Sequence, residues 1–186
     1  EGDGMRVWLS AMTAAVCLAG APGAFAEVVD KSAAGFELKF TRTIQAPPDK
    51  VYAALMKPQA WWSSEHTFSR SAANLRMDLK DHCFCESLPN GGEVRHLEIV
   101  YRDGRQLRLS GALGPGLFTG ATGHLGFVTA DADGQTKLAV TYDVGGYAKG
   151  GLAETWSAGF DAVLGEQLDR LKAYVETGSP DTAPRP

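Results

Sequence analysis

The sequence has little of several features that would place a protein in a specialised class. Its 186 residues include three cysteines, too few for a scaffold held together by disulfides. Lys and Arg total 18 against 22 for Asp and Glu, so the net charge of −4 provides no basic excess for a phosphate backbone. With 44% hydrophobic and 22% charged residues, the composition is neither that of a disordered chain nor that of a coiled coil. Nucleic acid is therefore not expected as a partner.

A long apolar run occurs once, at the N-terminus. A short positive start at Met5-Arg6 is followed by apolar and small residues from 7 to 19 and by an Ala-x-Ala site at 24–26. This pattern is typical of a secretory signal peptide over residues 1–26, and the apolar part is too short for a membrane-spanning helix. An uncleaved anchor is the alternative. The sequence thus predicts a periplasmic or secreted protein with no integral membrane span after leader cleavage.

The rest of the chain, residues 27–178, reads as one domain. Apolar and polar residues alternate from 36 to 44, which predicts a strand with one buried face. Pro47-Pro48 begins a first short helix, and a second one is expected to carry Trp61 and Trp62. Turn residues then divide the chain into short alternating segments, and these predict further strands over 75–79, 83–88, 94–101, 107–113, 123–129 and 138–144.

The period changes to helical after residue 151. Apolar residues from Leu152 to Val175 form one stripe over about six turns, and residues 179–186 read as a flexible tail. The element order predicts an α+β fold in which a curved antiparallel sheet wraps around the long C-terminal helix. Two short helices follow the first strand, and a space is expected between the sheet and the last helix.

Several segments resemble the START-like SRPBCC superfamily, which has the helix-grip fold. They are the stretch 44–52, Pro58 with Trp61-Trp62, and the helical stretch 167–172. Further motifs look like an uncharacterised bacterial subgroup of that superfamily, namely His66-Thr67, Asn74-Leu75, Cys83-Phe84-Cys85-Glu86 and Gly145-Gly146-Tyr147. The superfamily includes polyketide cyclases and dehydratases, heat-shock ATPase activator homologues and lipid-transfer domains. The resemblance implies a small hydrophobic molecule held between the sheet and the C-terminal helix.

The Asn90-Gly91 turn predicts the register of one hairpin. A two-residue turn there places Cys85 opposite His96 and Glu86 opposite Arg95. The hairpin face with Phe84 and Glu86 is the more apolar one and is expected to line the cavity, although the reverse assignment stays open. An ion pair between Glu86 and Arg95 is expected near the rim.

The cysteine pair suggests little chemistry. Cys83 and Cys85 lie two residues apart on one strand, where a disulfide would close a strained ring, so none is expected. Together with His96 they could form a soft-metal site, but two packed thiols are the favoured interpretation. No metal or cofactor is predicted.

Aromatic residues are expected to converge at one end of the cavity. The predicted ligand-binding residues are Trp61, Trp62, His66, Phe84, Phe118, Tyr142, Tyr147, Trp156 and Phe160. The leading hypothesis is a protein that binds a small lipid-like or aromatic molecule. The alternative is a cyclase or dehydratase-type enzyme, with Glu86, His66 and Tyr147 as catalytic candidates. A homodimer is left open.

Overall fold

A computed structural model describes residues 27–183 as eight antiparallel strands in one sheet and two α-helices. The predicted signal peptide, residues 1–26, and the last three residues of the tail lie outside these described residues. The strands are β1 (Glu27–Ser32), β2 (Gly35–Ile44), β3 (Leu75–Asp78), β4 (Cys83–Ser87), β5 (Glu93–Arg102), β6 (Gln106–Ser110), β7 (Gly120–Ala132) and β8 (Gln135–Tyr147). The helices are α1 (Pro48–Leu55) and α2 (Leu152–Thr177).

The order of strands in the sheet is β1-β2-β8-β7-β6-β5-β4-β3. From β3 to β8 each strand pairs with its neighbour in the chain, as the predicted meander requires. The β2–β8 pair joins the two ends of the domain, with Leu38 opposite Tyr142. The edge strand β1, which the sequence reading did not identify, pairs with β2 alone.

Helix α1 begins, and helix α2 ends, at residues suited to those positions. Pro48 occupies the first turn of α1, where its missing N–H costs no hydrogen bond. Helix α2 ends where Gly178 adopts a left-handed backbone (φ 82°) and its N–H bonds to the carbonyl of Tyr174. The segment that carries Trp61 and Trp62 forms 3₁₀ turns at Pro58–Ala60 and Ser64–His66 instead of an α-helix.

Strand β5 contains two bulges, and the first corrects the predicted register. Phe84 lies opposite Leu97 as predicted, but Cys85 lies opposite Arg95 because His96 is inserted as an extra residue. Glu86 therefore lies opposite Val94, and the expected Glu86–Arg95 ion pair does not form. A second shift at Val100 adds further local twist. The face with Phe84 and Glu86 is the inner one, and the bulge brings His96 onto it.

Helix α2 packs on the concave face of the sheet. Leu164, Leu168 and Leu171 are buried in the same core as Leu38 and Phe40 of β2. At the end of β2 the buried Arg42 donates from Nε to Asp169 Oδ1 of α2 at 2.6 Å. The predicted α+β helix-grip fold is confirmed. Within residues 27–183, neither helix is long and apolar enough to cross a membrane.

Candidate functional site

A cavity of about 340 Å³ lies between the sheet and the N-terminal half of α2. Leu75, Phe84 and His96 of β3, β4 and β5 form its floor. Other walls come from α2, the segment 62–68 and the turn 113–115. Most lining side chains are apolar, and they are Trp62, Phe68, Leu75, Phe84, Leu113, Pro115, Trp156, Phe160 and Val163. Cavities of this size with few polar groups are typical of sites for small organic molecules.

Polar groups of α2 hold the tryptophan segment against the helix. The buried Gln167 side-chain oxygen accepts from the N–H of Ser63 at 2.7 Å, and Arg170 Nε donates to the carbonyl of Trp61 at 3.0 Å. His66 Nε2 lies 2.9 Å from Glu166 Oε2. These bonds hold the segment that carries Trp62 against α2. Within the segment, Trp61 and Trp62 donate to the carbonyl of Pro58, and His66 donates to that of Ser63, which are the bonds of the short turns.

Tyr142 supports the part of the cavity wall formed by Leu113 and Phe160. Its hydroxyl accepts from the N–H of Leu113 at 3.0 Å and donates to the carbonyl of Gly111 at 3.4 Å. Its ring meets Phe160 edge to face, with 5.5 Å between centroids. Burial raises the pKa of Tyr142 to about 12, so the phenol stays neutral and can keep both bonds.

The centre of the site is a buried carboxylate–imidazole pair, Glu86 and His96. Glu86 is fully buried, and its Oε2 lies 2.8 Å from His96 Nε2. The same carboxylate accepts from the backbone N–H of Phe68 at 3.1 Å and from the N–H of Ser69. These bonds tie β4 to β5 and to the loop at 68–69.

Burial and hydrogen bonding act in opposite directions on Glu86. Burial alone raises the pKa of a carboxyl group, but the donors from Ser69, His96 and Phe68 outweigh it, so the pKa of Glu86 lies below its ordinary value. For His96, burial is the larger effect and lowers the pKa, although the neighbouring Glu86 works against it. At neutral pH the pair is therefore an ionised Glu86 beside a neutral His96.

The His96 ring lies between two phenylalanine rings. Phe68 stacks on it at 5.7 Å with an interplanar angle of 19°, and Phe84 lies at 5.1 Å. The ring is only 4% exposed. Its Nδ1 atom is buried and has no hydrogen-bond partner among residues 27–183.

The structure places five of the nine predicted ligand-binding residues on the cavity wall: Trp62, His66, Phe84, Trp156 and Phe160. The other four lie elsewhere. Trp61 is buried behind Trp62 and donates to the carbonyl of Ala54. Tyr142 lies beneath Phe160. Phe118, 80% exposed, contacts Phe68 with its ring edge, and Tyr147, 73% exposed, ends β8.

The three catalytic candidates are not brought together. The carboxylate of Glu86 bonds to Phe68, Ser69 and His96, and His66 bonds to Glu166. The exposed side chain of Tyr147 is not part of the cavity wall. This arrangement provides a buried, hydrogen-bonded carboxylate and not a free general base.

Among the cavity residues that the sequence did not predict as ligand-binding are His96 and Phe68. The assumed register put His96 on the outer face, since one residue of slip moves a side chain to the other side of a strand. Phe68 follows a 3₁₀ turn and has no periodic neighbours that would mark it.

The expectation about the cysteines was wrong, because Cys83 and Cys85 form a disulfide. Side chains two residues apart on a strand share a face. The bulge opposite Cys85 accompanies a Cα separation of 5.4 Å, inside the range of about 4.4–6.8 Å for disulfides. Their sulfur atoms are bonded to each other while His96 bonds to Glu86. No cluster of three or more metal-ligating side chains occurs in the described part of the chain.

Comparison with known proteins identifies fold relatives. No protein-family model and no curated protein matches the chain. EF2215 from Enterococcus faecalis, a conserved protein of unknown function, is 20% identical with a TM-score of 0.56, covering 81% of this chain and 75% of that one. A protein from Arthrobacter aurescens is 13% identical with a TM-score of 0.53, covering 80% and 92%. XoxI from Bacillus cereus is 11% identical with a TM-score of 0.52, covering 75% and 94%. At these identities the likeness shows the α+β fold alone.

Proposed function

We propose that this protein binds a small, predominantly apolar molecule in the cavity between the sheet and α2. The observation that supports this most directly is the 340 Å³ cavity itself, walled by Trp62, Phe84, Trp156 and Phe160. Aromatic walls of this kind favour flat or lipid-like guests over charged ones. We also propose that the chain belongs to the START-like SRPBCC superfamily, on the motifs described and the helix-grip fold.

The proposal is tested first with the protein from its own source. Native mass spectrometry followed by solvent extraction should detect a co-purifying apolar compound. The neutral dye N-phenyl-1-naphthylamine should also bind, and it should quench tryptophan emission because Trp62 and Trp156 line the cavity.

A blocking variant makes the test specific to this cavity. Gly159 lies on the cavity wall, and a Cβ added there meets no heavy atom within 4 Å. Gly159→Leu should therefore be accepted at its Cβ and place its larger side chain at the cavity wall, and replacing a helical glycine should add up to about 1 kcal/mol of stability. We expect dye affinity to fall by about 10-fold or more, which corresponds to at least about 1.4 kcal/mol.

Ala162→Leu provides the matched control. Ala162 is exposed on the same helix and does not line the cavity. Its substitution should leave dye affinity unchanged. If no apolar compound co-purifies, or if Gly159→Leu binds the dye as well as the parent protein does, the cavity is not the binding site and the proposal fails.

We further propose that the protein acts in the periplasm or outside the cell. The apolar leader pattern of residues 1–26 supports this, and so does the Cys83–Cys85 disulfide, since disulfides persist mainly in oxidising compartments. Fractionation of the native host tests it. Recovery of the full-length, unprocessed chain in the cytosol would contradict the proposal.

A further inference from the structure

The bond between Glu86 and His96 determines which nitrogen of the His96 ring carries the proton and which one can accept a hydrogen bond. The Glu86 carboxylate accepts from the backbone N–H groups of Phe68 and Ser69 and from the Ser69 side chain, and its Oε2 lies 2.8 Å from His96 Nε2. An ionised carboxylate only accepts, so the proton of the neutral imidazole must lie on Nε2. The other ring nitrogen, Nδ1, then carries a lone pair and can only accept.

That acceptor is buried but unsatisfied. Nδ1 has no partner among the described residues, whereas most buried polar atoms of folded proteins do have one. The ring cannot turn to expose another atom without losing its bond to Glu86 and its stacking on Phe68. His96 is also one of the residues that line the cavity. A molecule in the cavity would therefore lie against the ring that carries this acceptor.

We infer that the guest of this cavity is a neutral, ring-containing molecule with a hydroxyl of the phenol or enol class, and that this hydroxyl donates to Nδ1 of His96. The inference rests on the proposed binding function and adds the chemical class of the ligand. The rings of Phe84, Trp62 and Phe160 suit the flat apolar body of such a guest. The buried, ionised Glu86 behind the imidazole disfavours an anionic guest by charge repulsion.

A pair of ligands that differ at the hydroxyl provides the test. 2-Naphthol and 2-methoxynaphthalene share the same ring system, but only the first can donate a hydrogen bond. Titration by tryptophan quenching should show that the parent protein binds 2-naphthol more tightly, by about 3- to 10-fold, as expected for one neutral hydrogen bond.

Two histidine variants locate the acceptor. In His96→Gln the side-chain amide nitrogen takes the place of Nε2 and can still donate to Glu86. The amide oxygen then lies on the side of the former Cδ2 atom, so no acceptor remains at the Nδ1 position. We expect the affinity ratio of the two ligands to fall to about one, with 2-methoxynaphthalene binding little changed. His124→Gln, at an exposed position of β7, should keep the parent ratio.

A measurement on the parent protein covers the case in which His96→Gln fails to fold. Nitrogen NMR of ¹⁵N-labelled histidine should report the Nε2–H tautomer for His96 in the free protein. Its Nδ1 resonance should then move toward the hydrogen-bonded position on addition of 2-naphthol and stay in place with the ether.

The outcomes separate the two proposals. If both ligands bind the parent protein equally, a water molecule or nothing satisfies Nδ1, and the inference about the hydroxyl is overturned while apolar binding stands. If neither ligand nor the neutral dye binds, both proposals are overturned together.

Discussion

At the scale of single residues, a side chain's neighbours matter more than its type. Tyr142 and Tyr147 were both expected to line the ligand site, and both come from β8. Tyr142 is completely buried and bonds to the turn that forms one cavity wall, whereas Tyr147 is 73% exposed. The same phenol therefore supports the site at one position and has little structural role at the other.

The tyrosine pair leads to a stability prediction. Tyr142→Phe removes the acceptor for the buried N–H of Leu113 and should lower the free energy of unfolding by about 1–3 kcal/mol. Tyr147→Phe should change it by less than about 0.5 kcal/mol. Urea unfolding of both variants measures the difference. Equal and small effects would mean that the turn at 111–115 does not depend on Tyr142.

At the scale of elements, the contact between β2 and α2 contains a buried charge. The Arg42 side chain is 4% exposed, and it bonds to Asp169 and to the carbonyls of Thr41 and Gly165. Asp169 itself is 37% exposed, so solvent screens part of the interaction. The Arg42–Asp169 pair fixes the position of α2 along β2.

Removing one partner should cost more than removing both. Asp169→Ala leaves Arg42 buried without its counter-ion and should destabilise the protein by about 2–3 kcal/mol, below the usual range for fully buried pairs because Asp169 is partly solvated. The double variant Arg42→Met, Asp169→Ala should recover most of that loss. Glu37→Gln, in the partly exposed Lys39–Glu37 pair on β2, should cost less than about 0.5 kcal/mol. A double variant less stable than Asp169→Ala would contradict this account. Chemical unfolding of the variants decides it.

At the scale of the whole molecule, the Glu86–His96 pair couples stability to pH. Both groups have a folded pKa below the ordinary value, which is 6.5 for His96 and 4.5 for Glu86. The unfolded chain therefore binds protons that the folded protein does not, and stability falls as the pH decreases. The loss from His96 begins below pH 6.5, and the loss from Glu86 is added below pH 4.5.

The change of the free energy of unfolding with pH has an upper limit for each titrating group. His96 should contribute at most about 1.4 kcal/mol per pH unit just below its ordinary pKa, since one pKa unit corresponds to that free energy. Urea unfolding at a series of pH values measures the slope. In His96→Gln the free energy of unfolding should no longer fall between pH 6.5 and 4.5, the ordinary pKa values of the two groups. It should still fall below pH 4.5. An unchanged slope in that variant would show that His96 is not the titrating group.

The pattern of the sequence by itself determined the strands from β2 onward, the two α-helices and the helix-grip fold, but not the 3₁₀ turns beside Trp61 and Trp62. Alternation from residue 36 to 44 specifies one buried face of a strand, and the stripe from Leu152 to Val175 specifies a helix with one apolar side. These periodicities are local, so they can be read without knowing the partner elements. The same stripe placed Trp156 and Phe160 where the cavity lies.

Only the tertiary structure decided which polar groups meet in the cavity. A single extra residue at His96 changes the face on which its side chain lies, and that choice depends on how β5 pairs with both β4 and β6. Phe68 reaches the site because the carboxylate of Glu86 binds its backbone N–H from another element. Such contacts join residues far apart in the chain and leave no period in the sequence. The pattern therefore predicted an apolar cavity, and the fold supplied the buried Glu86–His96 pair at its floor.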